Sequence, residues 1–269
     1  LTVALVTGVP LGTCVGQDCG WRATFLAVSG LGLIAFIGSA LFVPRTITHT
    51  ASASLKVQAS VLLQPRLLLV YAMTAVGYGG SFIAFTFLAP LLQQVSGFEA
   101  GAVALVMLVY GVSVTVGNIW GGKLADQRGA VPALKIIFAL LALVLLVLTF
   151  TAPHKWLMLA TVLAWGAVAF GNVPGLQVYV VKQAERFSPR AVDVASGLNI
   201  AAFNVGIAFG AWAGGLIVER LGLVHTGWIG GLVVLGALAL TAWAGRLDQR
   251  DGRDPAAVVS VGSPRIAAH

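Results

Sequence analysis

Eight apolar segments, most near twenty residues and separated by short polar punctuation, decide the solvent of this 269-residue chain. An α-helix rises about 1.5 Å per residue, so about twenty residues cross about 30 Å of hydrocarbon. The segments lie near residues 1–17, 21–43, 67–91, 101–121, 133–152, 156–181, 194–217 and 227–245. A soluble domain has no use for eight such runs, whereas a membrane bundle does. Composition agrees: 58% of residues are hydrophobic and 9% charged, against about 25% charged in ordinary soluble domains. In lipid, the 33 glycines point to closely packed helices rather than loops. The expected fold class is all-α, a polytopic membrane helix bundle with the lipid bilayer as its first partner.

The basic residues say which way the bundle faces. The net charge of +7 does not mark a nucleic-acid binder, because the bases are not set on an amphipathic face with interleaved aromatics. They fall in the gaps between spans. With an even number of spans, Arg45, Lys56, Arg66, Lys123, Arg128, Lys135, Lys182, Arg186, Arg190, Arg246, Arg250, Arg253 and Arg265 share one side, and Arg22, Lys155 and Arg220 the other. Bases are retained in the cytoplasm, so the polar stretch 45–66 and the C-terminus are expected there, in a plasma (inner) membrane. Four parts follow: two helices in 1–44, a cytoplasmic linker over 45–66, six helices over 67–246 and a disordered charged tail over 247–269. Trp21, Trp156 and Trp228, near span ends, fit interfacial anchors.

The chain also repeats itself. Gly8, Gly12 and Gly16 in the first span, with Pro10 among them, match Gly206, Gly210 and Gly214 in the seventh. A spacing of four stacks glycines on one helix face and lets a neighbouring backbone come close. Gly20-Trp21 and Gly227-Trp228 then open the next span in each copy. Transporters are built from such halves. If the last pair of helices repeats the first, four partner helices precede Leu1 and the implied count is twelve.

Candidate chemistry lies in two places. The turn Gly121-Gly122-Lys123-Leu124-Ala125-Asp126-Gln127-Arg128-Gly129 combines small residues, an acid and bases. Asp126 is expected to cap a helix or pair with a base, and Gly129 to supply a positive φ. The turn reads equally as a gating latch and as a solvated loop. The sixth span contains Gly171, Asn172, Pro174, Gly175 and Gln177, and is expected to break near mid-membrane, where irregular backbone lines a cavity. Asn172 and Gln177 are candidate substrate contacts there, with Tyr78 and Ser81 from the third span, Tyr110 and Asn118 from the fourth, and Asn199 and Asn204 from the seventh. Polar groups at this depth are costly unless they face protein or water. No Asp or Glu lies deep in any span, and no HExxH, GxSxG or Walker loop is present, so neither an enzyme nor an ATP-driven pump is expected. No cofactor or metal is implied. Cys14 and Cys19 match no CxxC or zinc spacing.

Gly8-Val9-Pro10-Leu11-Gly12, Gly16-Gln17 and Gly20-Trp21-Arg22-Ala23-Thr24-Phe25 together resemble the fifth-helix signature of major facilitator superfamily antiporters, closest to the twelve-span drug and sugar efflux branch. Gly122 to Gly129 is similar to the second-half copy of that superfamily's cytoplasmic loop motif. Gln127 and Ala130 stand where the family usually has bases. The resemblance covers about residues 1–245. It implies the major facilitator fold without its first four helices, so that 1–44 holds the last two helices of the N-terminal bundle and 67–246 the C-terminal bundle. It implies a helix-packing and sealing role for Gly8, Pro10, Gly12 and Gly16 against the other half. It further implies alternating access, proton-coupled efflux of a small organic compound, and a relay acid in the absent helices. The rival expectation is a truncated membrane protein that does not transport.

Overall fold

The computed structural model describes residues 20–42 and 61–253. The first expected span, with Gly8, Pro10, Gly12 and Gly16, lies outside the described residues. So do most of the linker and residues 254–269.

Every long apolar run among the described residues is helical. Helix α1 (Trp21–Phe42) follows Gly20. Helices α2 (Pro65–Phe85) and α3 (Leu88–Gln94) form one bent span. Then come α4 (Ala100–Arg128), α5 (Ala130–Thr151), α6 (Lys155–Ala169) and α7 (Asn172–Phe187). A short 3-10 turn (Pro189–Ala191) leads into α8 (Val192–Arg220), and α9 (His225–Arg253) ends the described chain. Seven helical spans here are long and apolar enough to cross a membrane. Large apolar side chains point outward along them, including Phe150 at 77% exposure and Phe209 at 63%. In water so much exposed apolar surface would drive association, while in lipid it is the ordinary exterior.

Prolines place both breaks. A proline inside a helix crowds the carbonyl four residues earlier and cannot donate to it. Pro90 stands four after Thr86, where α2 gives way to α3, and Pro174 stands four after Phe170, where α6 gives way to α7. The expected interruption of the sixth span is present at Phe170–Gly171; the bend in the third follows the same rule from Pro90. Pro132 lies in the first turn of α5, where a missing donor does no harm.

Glycine sets how closely the helices cross. Helix α2 runs between α8 and α9. On one side Gly206, Gly210 and Gly214 of α8 seat against the carbonyls of Ala75, Gly79 and Ile83, so one four-residue ladder lies on another. On the other side a methyl added at Gly80 would stand 2.7 Å from the Gly230 carbonyl of α9. Helix α4 crosses α6 through Gly117 and continues over the break through Gly121, whose missing side chains leave room for the Ala167 and Gly171 carbonyls. Helix α5 packs on α9, where Gly227, Gly231 and Gly245 of α9 lie against Leu145, Ala142 and Val131 of α5; Leu134, Phe138, Leu141 and Leu145 of α5 are fully buried.

Three boundaries differ from expectation. The turn expected over 121–129 is mostly helix: α4 runs through Arg128, and Gly129 alone, at φ 84°, turns the chain into α5. One residue with positive φ suffices because it closes α4 and opens α5 at once. Helix α2 starts at Pro65 rather than 67, with proline at its first position. The tail expected to be disordered from 247 is helical through Arg253. Its acids explain why, since Asp248 and Asp251 are bound by side chains of α2 and α7.

Candidate functional site

Two polar clusters interrupt the apolar interior. The first surrounds the break between α6 and α7. Where the backbone leaves the helical ladder, Asn172 is carried inward as the first residue of α7 and is 0% exposed. The Tyr78 hydroxyl on α2 donates to Asn172 Oδ1 at 2.7 Å. Asn172 Nδ2 is buried and has no hydrogen-bond partner among the described residues. An unpaired buried donor costs about 1–3 kcal/mol, so this nitrogen is poised for an acceptor that the described residues do not supply.

Aromatic rings wall the site. Tyr78 meets Phe203 edge-on at 4.1 Å and Phe170 at 6.0 Å. One helical turn along α2, Ser81 Oγ accepts from Trp165 Nε1 at 3.2 Å. Trp165 in turn packs against Tyr110 and Phe85, with centroids at 5.8 and 6.0 Å. In the other direction Thr74 donates to Asn199 Oδ1 at 2.7 Å, tying α2 to α8. Gln177 Nε2 donates to Ser196, tying α7 to α8. Interhelical hydrogen bonds in membranes average about 0.6 kcal/mol each, so their larger contribution is to fix rotation and register.

The expected contacts therefore divide. Tyr78, Asn172, Ser81 and Tyr110 meet in one buried cluster, while Asn199 and Gln177 line its α8 edge. Asn204 does not join them: it is exposed, and its Nδ2 donates to the Ile200 carbonyl of its own helix. The period of α8 places it on the face opposite Gly206 and Gly210, away from α2. Asn118 is half-buried on α4 and takes no part in these hydrogen bonds. Sequence reasoning missed Thr74 and Trp165; their sign was position, since Thr74, Tyr78 and Ser81 fall at i, i+4 and i+7 on one face of α2.

The second cluster lies at the end of the bundle that carries Pro65, Gly129, Phe187 and Arg253. Asp248 of α9 accepts from the Tyr179 hydroxyl at 2.8 Å and from Gln183 Nε2 at 3.1 Å, both on α7. Asp251, one turn on, pairs with Arg66 at the start of α2 and lies 3.9 Å from Arg186 at the end of α7. Three helices are thus clamped at one end by two acids that the sequence reading left in a tail. The loop residues expected to form a latch stand apart. Asp126 and Arg128 are exposed on the last turns of α4 with no ion pair among the described residues, and a methyl added at Gly122 would meet only Pro174, at 3.7 Å.

Comparison of the sequence with known proteins points to one family. A family model described as Major Facilitator Superfamily matches residues 1–186. An uncharacterized MFS-type transporter, YtbD of Bacillus subtilis, is 51% identical over 254 residues, covering 94% of this chain and 64% of its own length. The inner membrane transport protein YdhP of Escherichia coli K12 is 34% identical, covering 89% of this chain and 60% of its own. A protein of Helicobacter pylori named probable sugar efflux transporter is 29% identical, over 90% of this chain and 59% of its own. The chain thus spans about three fifths of the length of the curated relatives it matches.

Proposed function

This chain belongs to the major facilitator superfamily, and from that premise we propose that it serves secondary active efflux of a small organic compound, with a contact site at the α6–α7 break. One observation carries the reading: a fully buried asparagine at a helix break, held by Tyr78 through its oxygen and left with an N–H donor that no described residue satisfies, among aromatic side chains. Such a site suits a polar compound with an apolar body, because the rings take the body and Asn172 Nδ2 takes an acceptor such as a hydroxyl or carbonyl oxygen. The named efflux relative supports the direction of transport, and coupling to protons is part of the same proposal.

Exchanging Asn172 tests the site. Asn172→Ala removes the orphan donor and frees the Tyr78 hydroxyl. We expect it to change the export profile across a panel of dyes, sugars and antibiotics by about tenfold for at least one compound, the weight of one hydrogen bond to a bound ligand. Asn204→Ala, on the outer face, should leave the profile within twofold. Equal effects of the two substitutions on every compound would remove Asn172 from the substrate path.

Orientation is part of the proposal. The end that carries Gly129, Arg186 and Asp248 faces the cytoplasm, by the excess of bases on that side. Reporters inserted between Phe187 and Val192 should read cytoplasmic, and reporters at Pro153 should read external. The reverse pattern would invert the assignment.

A further inference from the structure

Beside the second cluster lies a pocket of about 470 Å³, lined by Ala130, Val131 and Pro132 of α5, by Tyr179, Lys182, Gln183 and Arg186 of α7, and by Asp248 of α9. Its volume is in the range of small-molecule sites. Its chemistry is two-sided. Lys182 is exposed and has no ion-pair partner among the described residues, Arg186 is only loosely engaged by Asp251, and the Ala130 and Val131 N–H groups at the start of α5 lack intrahelical acceptors, whereas Pro132 has no N–H and Ala133 donates to the Gly129 carbonyl. These groups call for an anion. Gln183 calls for the opposite. It is 5% exposed, its Nε2 is spent on Asp248, and its buried Oε1 has no donor among the described residues. Arg66, whose Nη1 is also unpaired among the described residues, does not line the pocket. An acceptor amide and a carboxylate on one wall, with cations and a helix N-terminus on the other, match a zwitterion carrying both a hydrogen-bonding ammonium and a phosphate.

We propose that this pocket holds the headgroup of an ammonium-bearing phospholipid. The ammonium donates to Gln183 Oε1 and Asp248, and the phosphate is held by Lys182, Arg186 and the first turn of α5. A lipid is favoured over a soluble aminophosphate by what lies below the pocket. From Pro132, helix α5 presents Leu143 and Val147 on the same face, 55% and 39% exposed, an apolar track along which acyl chains can run into the bilayer. The site thus sits where a headgroup and its chains would each meet matching surface. It rests on this end lying at a membrane interface and not on transport, so its test does not depend on a substrate.

The test is retention of lipid by the purified full chain, read by native mass spectrometry from an equimolar mixture of phosphatidylethanolamine, phosphatidylcholine and phosphatidylglycerol. Phosphatidylcholine keeps both charges but has no ammonium N–H, and phosphatidylglycerol has no ammonium. The expected result is about tenfold preference for phosphatidylethanolamine over phosphatidylcholine, the weight of one charge-assisted hydrogen bond. Gln183→Leu should lower that preference, Asp248 remaining as the other acceptor, and Lys182→Ala should reduce retention of all three lipids. Equal retention of phosphatidylethanolamine and phosphatidylcholine would overturn the proposal, as would an unchanged preference in Gln183→Leu protein that melts like the parent. Free phosphoethanolamine that displaces the lipid at comparable concentration would overturn the lipid as its source.

Discussion

Gly117→Leu should abolish recovery of folded, monodisperse protein. A side chain at this position has no direction to go, since the first added carbon already overlaps the Ala167 carbonyl of α6. Backbone cannot rotate aside as a side chain can, so α4 and α6 must separate. Separation would open the Tyr110–Trp165 packing and the Gly121 crossing one turn on. Overpacking in a dense interior costs about 1–3 kcal/mol even where side chains can yield, and a backbone-to-backbone crossing stands at the upper end or above it. The control is Gly101→Leu on the same helix, where an added carbon meets nothing within 4 Å. Size-exclusion recovery and the melting temperature of both variants decide the matter. Normal recovery of Gly117→Leu would mean that α4 and α6 do not cross at this glycine.

Asp248→Leu should give the second largest loss. Asp248 receives the Tyr179 hydroxyl and the Gln183 amide, and both donors belong to side chains only 5% exposed. Removing the acceptor strands both, at about 1–3 kcal/mol for each unsatisfied group. The expected fall in melting temperature is about 4–24 °C, from about 2–6 kcal/mol in all and about 2–4 °C per kcal/mol for chains of this size. Asp248→Asn keeps one acceptor oxygen and should fall between. Asp126→Leu, an exposed acid without an ion pair among the described residues, should change stability by no more than about 0.5 kcal/mol. If Asp126→Leu and Asp248→Leu melt alike, the clamp does not hold the helices.

The contrast between those two acids shows what the sequence could carry. Hydrophobic length gave the helices, because crossing a bilayer sets a length that no soluble fold requires. The glycine spacing gave a stacked face, and Gly206, Gly210 and Gly214 do lie on one ladder against α2. The break at Phe170–Gly171 was legible because proline acts at a fixed distance along the chain. Partners across helices were not legible. Nothing local tells that Tyr78 reaches Asn172, 94 residues away, or that Thr74 reaches Asn199. Asn204 and Asn199 look alike in sequence, yet a rotation around α8 puts one outside and one against α2. Charge led the reading astray at the C-terminus. A run rich in Arg and Asp looks solvated, but acids at i and i+3 can hold a helix when bases and a tyrosine wait on its neighbours. The same bias drew attention to Asp126, whose position in a known motif says less about its surroundings than the exposed last turn of α4 does.

Flux through the purified chain in proteoliposomes, measured across dyes, sugars and antibiotics with an imposed proton gradient, tests the central claim most directly. Transport centred on the α6–α7 break predicts compound-specific flux that collapses when the gradient is dissipated and whose selectivity shifts in Asn172→Ala. Flux no greater than that of empty liposomes for every compound would contradict it.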